Sequence, residues 1–166
     1  MKQLILMRHA KSSWPEPSIA DKDRSLNDRG QANALTIGTW MAAKGLQPDQ
    51  VLSSTATRCR ETWAGVQQGL APVGKVEFLD GLYLATEREM LDILHGASGE
   101  TVLMLGHMPG LGDFARDMRQ DPPPHHDQFR KYPTGAVTVL RLHLDDWAQA
   151  QFGDADLESF TSPAQM

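Results

Sequence analysis

Cys59 is the single cysteine in 166 residues, so an internal disulfide is excluded and no cysteine-based zinc spacing exists. Long apolar runs are missing as well. No stretch approaches the ~20 residues that a membrane span needs, and the run within Met1–Arg8 is too short for a signal-peptide core. An excess of positive charge is also absent: 16 Lys and Arg stand against 21 Asp and Glu, a formal net charge of -5. That excludes a general nucleic-acid binder, whose footprint is a basic face, but it leaves room for a local anion site at short range. There is no Walker A loop. Gly106–Gly110 has the glycine spacing of a hydrolase elbow, yet Met108 stands where the serine would be. No internal repeat occurs, and no low-complexity tract beyond the three prolines 122–124. A cytoplasmic protein without membrane or nucleic-acid partners is expected, with one domain over 1–157 and a frayed tail over 158–166.

What is present alternates between strand and helix patterns. Gln3–Met7 is a short apolar run suited to a buried strand. Asn27 is placed to cap a helix with Ala34, Ile37, Gly38 and Met41 at helical spacing, ended by Gly45 with Leu46 behind it. Val51–Leu52 begins a second strand. Ser54 or Thr55 is expected to cap a helix whose buried stripe is Cys59, Trp63, Val66 and Leu70. Val76–Leu79 is a third strand. Thr86 with Glu89 makes a capping box for a helix carrying Met90, Leu91 and Leu94 that stops at Gly96. Thr101–Leu105 is another buried strand, followed by a helix through Arg116. Asp121–Lys131 is expected as a loop, Gly135–His143 as a strand, and Trp147–Phe152 as an edge strand pairing with it. The fold class is therefore α/β: a three-layer α/β/α sandwich with a mainly parallel central sheet carrying an antiparallel edge.

Three of these strands deliver a cation or an imidazole at their carboxyl ends. Arg8 and His9 follow the first, Arg58 follows the second through the first turn of its helix, and His107 follows Thr101–Leu105. Ligands of open α/β sheets bind outside those ends. Two guanidiniums and two imidazoles meeting there would form a pocket for a phosphoryl group, and Arg58 would lie beside helix N–H groups that favour an anion. His95 and His143 read as structural. His125 and His126 are adjacent in a proline loop and do not share a helix face, which disfavours a metal site.

The segment Leu6-Met7-Arg8-His9-Ala10-Lys11-Ser12-Ser13-Trp14 resembles the signature of the histidine phosphatase superfamily, the phosphoglycerate-mutase-like group. Leu26-Asn27-Asp28-Arg29-Gly30-Gln31-Ala32 is similar to its Leu-Thr-x-x-Gly-x-x-Gln-Ala stretch. Ser53-Ser54-Thr55-Ala56-Thr57-Arg58 with Thr62 is similar to its Ser-Ser-x-x-x-Arg-x-x-x-Thr, and Gly106-His107-Met108-Pro109 to its Gly-His-x-Pro. The short chain, the Lys-Ser-Ser-Trp sequence and Tyr132-Pro133-Thr134-Gly135-Ala136 look most like the SixA-type phosphohistidine phosphatase branch. The resemblance implies that His9 is a nucleophile forming a covalent phosphohistidine. It implies that Arg8, Arg58 and His107 hold the phosphoryl oxygens, with no metal and no cofactor. A cysteine-dependent C-x5-R mechanism fails, because the position six residues after Cys59 is Gly65.

Departures from that pattern bear on the substrate. Ala10 replaces a common glycine, Lys11 a common Glu, and Pro15 an Asn that often contacts phosphate. The family's usual acid is a Glu before the Leu-Tyr region; here Gly81 takes its place with Asp80 beside it. Asp80 substitutes, or Glu87 does, or the acid is missing. A site without an acid suits phosphoramidates, since an imidazole (pKa ~6.5) leaves far more readily than an alkoxide. Ser12 and Arg24 are candidate substrate contacts, Arg24 being otherwise a solvated loop residue. The expected function is removal of phosphate from phosphohistidine on a protein. The alternatives are a broad small-molecule phosphomonoesterase, a mutase, and a non-catalytic module that binds phosphorylated partners.

Overall fold

The computed structural model describes residues 1–120 and 127–166. In chain order the elements are β1 (Lys2–Arg8), α1 (Asp28–Ala43), β2 (Gln50–Ser54), α2 (Thr57–Val66), β3 (Lys75–Leu79), α3 (Glu87–Leu94), β4 (Thr101–Gly106), α4 (Gly110–Asp117), α5 (Asp127–Lys131), β5 (Val137–Leu142) and β6 (Ala155–Thr161). They build one mixed sheet in the order β3-β2-β4-β1-β5-β6. β1 to β4 run parallel, while β5 is antiparallel to β1 and β6 to β5. Helices cover both faces, which makes the three-layer sandwich. No helix among the described residues is long and apolar enough to cross a membrane.

The continuous apolar run of β1 follows from burial on both faces. Leu4 and Leu6 point into the core shared with Met90, Leu91, Leu111 and Phe114 of α3 and α4. Ile5 and Met7 alternate into the core shared with Ile37, Met41, Trp63 and Val66 of α1 and α2. Truncating any of these fully buried side chains to Ala is expected to cost about 2–5 kcal/mol. The α1 boundaries have the expected chemistry: Asn27 Oδ1 accepts from Gly30 N at 2.8 Å. At the other end Gly45 takes φ 70°, where glycine carries no steric penalty. The Leu46 and Gly45 N–H groups then reach back to Met41 and Ala42 carbonyls at 2.9 and 3.1 Å. The capping box of Thr86 and Glu89 opens α3.

Four expectations are corrected. Ala56, with no side-chain cap, precedes α2 in place of Ser54 or Thr55; the Ser54 hydroxyl is engaged with His107 instead. Residues 127–131 of the expected proline loop form α5, while His125 and His126 lie outside the described residues. Trp147–Phe152 is not a strand: Trp147–Gln149 forms a 3-10 turn whose buried Trp147 donates its indole N–H to Gly99 O at 2.6 Å. The edge is β6, so residues 158–161 of the expected frayed tail are strand. A bulge hid it. The β5–β6 register shifts between Val139 and Leu140, pairing Leu140 with Leu157 but Val139 with Ser159. Leu157 and Phe160 therefore pack against the same core despite an odd spacing.

Candidate active site

The sheet register brings the motif residues together. Arg8 pairs with Gly106 across β1 and β4, so the next residues, His9 and His107, emerge side by side with ring centroids 5.4 Å apart. β2 lies on the other side of β4, and the first turn of α2 carries Arg58 to within 3.3 Å (Nη2) of His107 Nδ1. His9, Arg58 and His107 are all buried. Thr62, one turn beyond Arg58, ties the elements: its hydroxyl donates to Arg58 O at 2.7 Å and accepts from Ala10 N at 3.0 Å. Gly30 lets α1 approach the chain after His9, since a Cβ there would lie 2.0 Å from Lys11 O.

The hydrogen bonds set the protons. His9 Nδ1 lies 2.7 Å from Ala10 O. A carbonyl only accepts, so Nδ1 carries the proton and Nε2 keeps its lone pair. Burial, with the charges of His107, Arg58 and Arg8 and against the Ala10 hydrogen bond, lowers His9 to about 3. His107 is lowered to about 4, first by burial and then by Arg58. Its Nδ1 accepts from Arg58, and its Nε2–H donates to Ser54 Oγ at 2.8 Å; that oxygen also accepts from Ala56 N. Both imidazoles are neutral at neutral pH. Burial pushes the Cys59 thiol, 3.6 Å from His107 Nε2, up to about 12, so it stays protonated.

Arg8 is held from behind by the Tyr132–Ala136 stretch. Its Nη1 donates to Tyr132 O at 2.7 Å, and its backbone N–H to Ala136 O at 3.0 Å. Tyr132 adopts φ 49°, an uncommon conformation for a bulky residue that turns up where structure over-determines it. Gly135 N donates to His9 O at 2.9 Å. Arg8 Nε is buried and finds no hydrogen-bond partner among the described residues. An unsatisfied charged donor of that kind is costly unless an anion completes it.

At the mouth stands a carboxylate that motif reading missed. Asp21 Oδ2 accepts from Arg58 Nη2 at 3.1 Å and from the Tyr83 hydroxyl, Oδ1 accepts from Arg24 Nη1 at 3.0 Å, and the Asp21 carbonyl accepts from Arg58 Nη1 at 2.7 Å. The Tyr83 hydroxyl, with Arg24 and Arg58 behind it, lowers Asp21 to about 2 against the effect of burial. Tyr83 also packs edge-on to His107, centroids 5.3 Å apart. Arg24 is no solvated residue: it is clamped by Asp21, Ser12 Oγ and Ser13 O, the latter two at 2.8 Å. Its partner Ser12 thus belongs to the same loop network. Asp80 is exposed and bound to Lys22 Nζ at 2.8 Å and Thr55 Oγ1 at 2.6 Å, contacts that hold its carboxyl below the usual range. Glu87 opens α3, where its charge acts on Arg116. Neither is brought to the imidazoles by these contacts. His95 Nε2 bonds Ala150 O and His143 pairs with Asp156, away from the strand-end cluster.

Two neutral imidazoles, one with an unshared lone pair on Nε2, and two guanidiniums at the carboxyl ends of parallel strands define a phosphoryl-handling enzyme. Residues 4–83 match the histidine phosphatase superfamily (branch 1). An uncharacterized protein of Mycobacterium tuberculosis (strain H37Rv) is 36% identical over 163 residues, covering 95% of this chain and 99% of that protein. The fold is similar to the SixA crystal structures from Agrobacterium tumefaciens and Nakamurella multipartitia, each with TM-score 0.80 and 98% of this chain covered. Their identities are 27% and 29%, and the coverage of those chains is 98% and 96%. The chain belongs to the histidine phosphatase superfamily, in its SixA-type branch, and is a phosphatase.

Proposed function

We propose that the protein removes phosphate from phosphohistidine on a protein, through a covalent intermediate on His9. The observation that carries this reading is the tautomer of His9, whose Nδ1–H is fixed on Ala10 O and whose Nε2 lone pair is left for phosphorus. Nε2 forms a bond to phosphorus as the bond to the leaving group breaks. Arg8, with its unpaired Nε, joins Arg58 and His107 on the non-bridging oxygens. The arriving dianion favours protonation of His107 Nδ1, turning an acceptor into a donor. Water then attacks the phosphohistidine on His9 and releases phosphate. Positive charge for the transition state comes from side chains already in place, which costs little reorganisation.

The carboxylates support the proposed substrate class. Asp21 and Asp80 are both held ionised at neutral pH, and an ionised carboxylate cannot hand a proton to an alkoxide. An imidazole leaves without that help. Trp14 and Ile19 on the loop bearing Asp21, and Leu84 beside Tyr83, expose large apolar side chains that a protein partner can cover. The test is a panel of phosphohistidine peptide, aryl phosphate and sugar phosphate with wild type and His9→Ala. Wild type is expected to cleave the peptide at least ~10-fold faster than the sugar ester, and His9→Ala to lose at least ~10³-fold in kcat while melting normally. Faster sugar-ester cleavage points to a small-molecule phosphomonoesterase, and an active His9→Ala removes the assigned nucleophile.

A further inference from the structure

We propose that Asp21 is the leaving-group residue: its carboxylate accepts a hydrogen bond from the distal ring N–H of a protonated phosphohistidine. This deepens, and rests on, the phosphohistidine reading. The geometry begins with position. Arg58, which would grip the phosphoryl group, is 5% exposed, whereas the Asp21 side chain bonded to it is 47% exposed. The carboxylate thus lies on the solvent side of the anchor, where a protein-borne ring must enter. It also has capacity left. Among the described residues, Oδ2 takes Arg58 and Tyr83 while Oδ1 takes only Arg24. A carboxylate offers about four lone-pair sites, so one acceptor position on Oδ1 remains open. The other contacts fix the group from several sides: Arg24 is itself anchored on Ser12 and Ser13, and Tyr83 stands edge-on to His107.

The chemistry fits an ionised carboxylate better than a protonated acid. A phosphohistidine ring carrying a proton on its distal nitrogen leaves as neutral imidazole. The electron pair of the breaking P–N bond stays on the proximal nitrogen, and the distal proton stays where it was. His9, holding its own Nδ1–H on Ala10 O, becomes the phosphorylated imidazolium as its Nε2 binds phosphorus. Charge and protons balance with no external acid. An anionic partner raises the pKa of the substrate ring, so the reactive protonated form persists to higher pH. The same carboxylate repels the negative charge that develops on a departing alkoxide or phenolate. Asp21 would therefore discriminate between leaving groups, and Arg24 and Tyr83 would position it.

The experiment compares kcat/KM for a phosphohistidine peptide and an aryl phosphate at pH 8 in wild type, Asp21→Asn and Asp21→Glu, with thermal melts and the inhibition constant of inorganic phosphate alongside. In Asp21→Asn the peptide-to-aryl ratio is expected to fall at least about tenfold, with Asp21→Glu in between. Equal loss on both substrates, together with weaker phosphate inhibition, would make Asp21 a support for Arg58 only and overturn the proposal. A wild-type enzyme that leaves the peptide intact instead overturns the substrate reading itself, before any variant is compared. Wild type alone supplies a second readout: the alkaline limb of kcat for the peptide, which reports the bound complex, should lie above the titration of the phosphohistidine ring in the free peptide. Coincidence of the two would also refute it.

Discussion

His9 and His107 are buried neutral, and that state has a thermodynamic signature. Both are lowered from the usual 6.5, to about 3 and about 4. The unfolded chain therefore binds more protons than the fold between those values and 6.5, and stability falls as pH drops through that window. The slope is at most about 1.4 kcal/mol per pH unit for each histidine. Urea melts from pH 7 to 4.5 are expected to show the loss in wild type and a shallower one in His9→Ala; a flat wild-type profile would show that the imidazoles are not held neutral. Ser54 offers a second residue-scale test. Its oxygen accepts the His107 Nε2–H, so Ser54→Ala leaves a buried donor unsatisfied at a cost of ~1–3 kcal/mol. It should also lower kcat more than it raises KM and shift the His107 ring ¹⁵N resonances toward a tautomer mixture. Unchanged resonances would leave Ser54 a packing residue.

The elements converge because three parallel strands end at one level, and the loops behind them are locked by close contacts. Gly30 is one of these, with Lys11 O 2.0 Å from the position a Cβ would take. Gly30→Ala must push α1 off the chain that follows His9. A stability loss of ~1–3 kcal/mol is expected, with a fall in activity because Lys11 and His9 move together; thermal melts and aryl phosphate kinetics check both. At this scale the sequence was readable wherever periodicity was clean: the apolar run of β1, the Asn27 cap, the Gly45 stop and the Thr86–Glu89 box. It was unreadable where a tertiary feature overrode the pattern. The bulge opposite Val139 and Leu140 disguised β6, and Ser54 looked like a helix cap because its actual partner, His107, is 53 residues away.

Over the whole molecule, the site divides along the same line. Arg8, His9, Arg58 and His107 could be found because each stands just past a recognisable strand, and sheet topology alone brings strand ends together. Asp21 and Tyr83 could not. Their link to each other spans 62 residues, and the Asp21–Arg58 link spans 37, with no local pattern to announce either. Asp21 and Arg24, three residues apart in a polar loop, look like a surface pair until the fold lays that loop over α2 and Tyr83. Asp80 invited assignment as the acid by its place in the chain, yet the fold commits it to Lys22 and Thr55. Local sequence thus located the strand-end cluster around His9, while the groups that would choose the leaving group depend on long-range closure.

The most direct measurement is rapid acid-free quenching during turnover of ³²P-labelled phosphohistidine peptide, followed by mapping of the labelled residue. An alkali-stable, acid-labile label on His9, absent in His9→Ala, is the expected result. Turnover without a labelled enzyme in single-turnover conditions, or label on any other residue, would contradict covalent catalysis by His9.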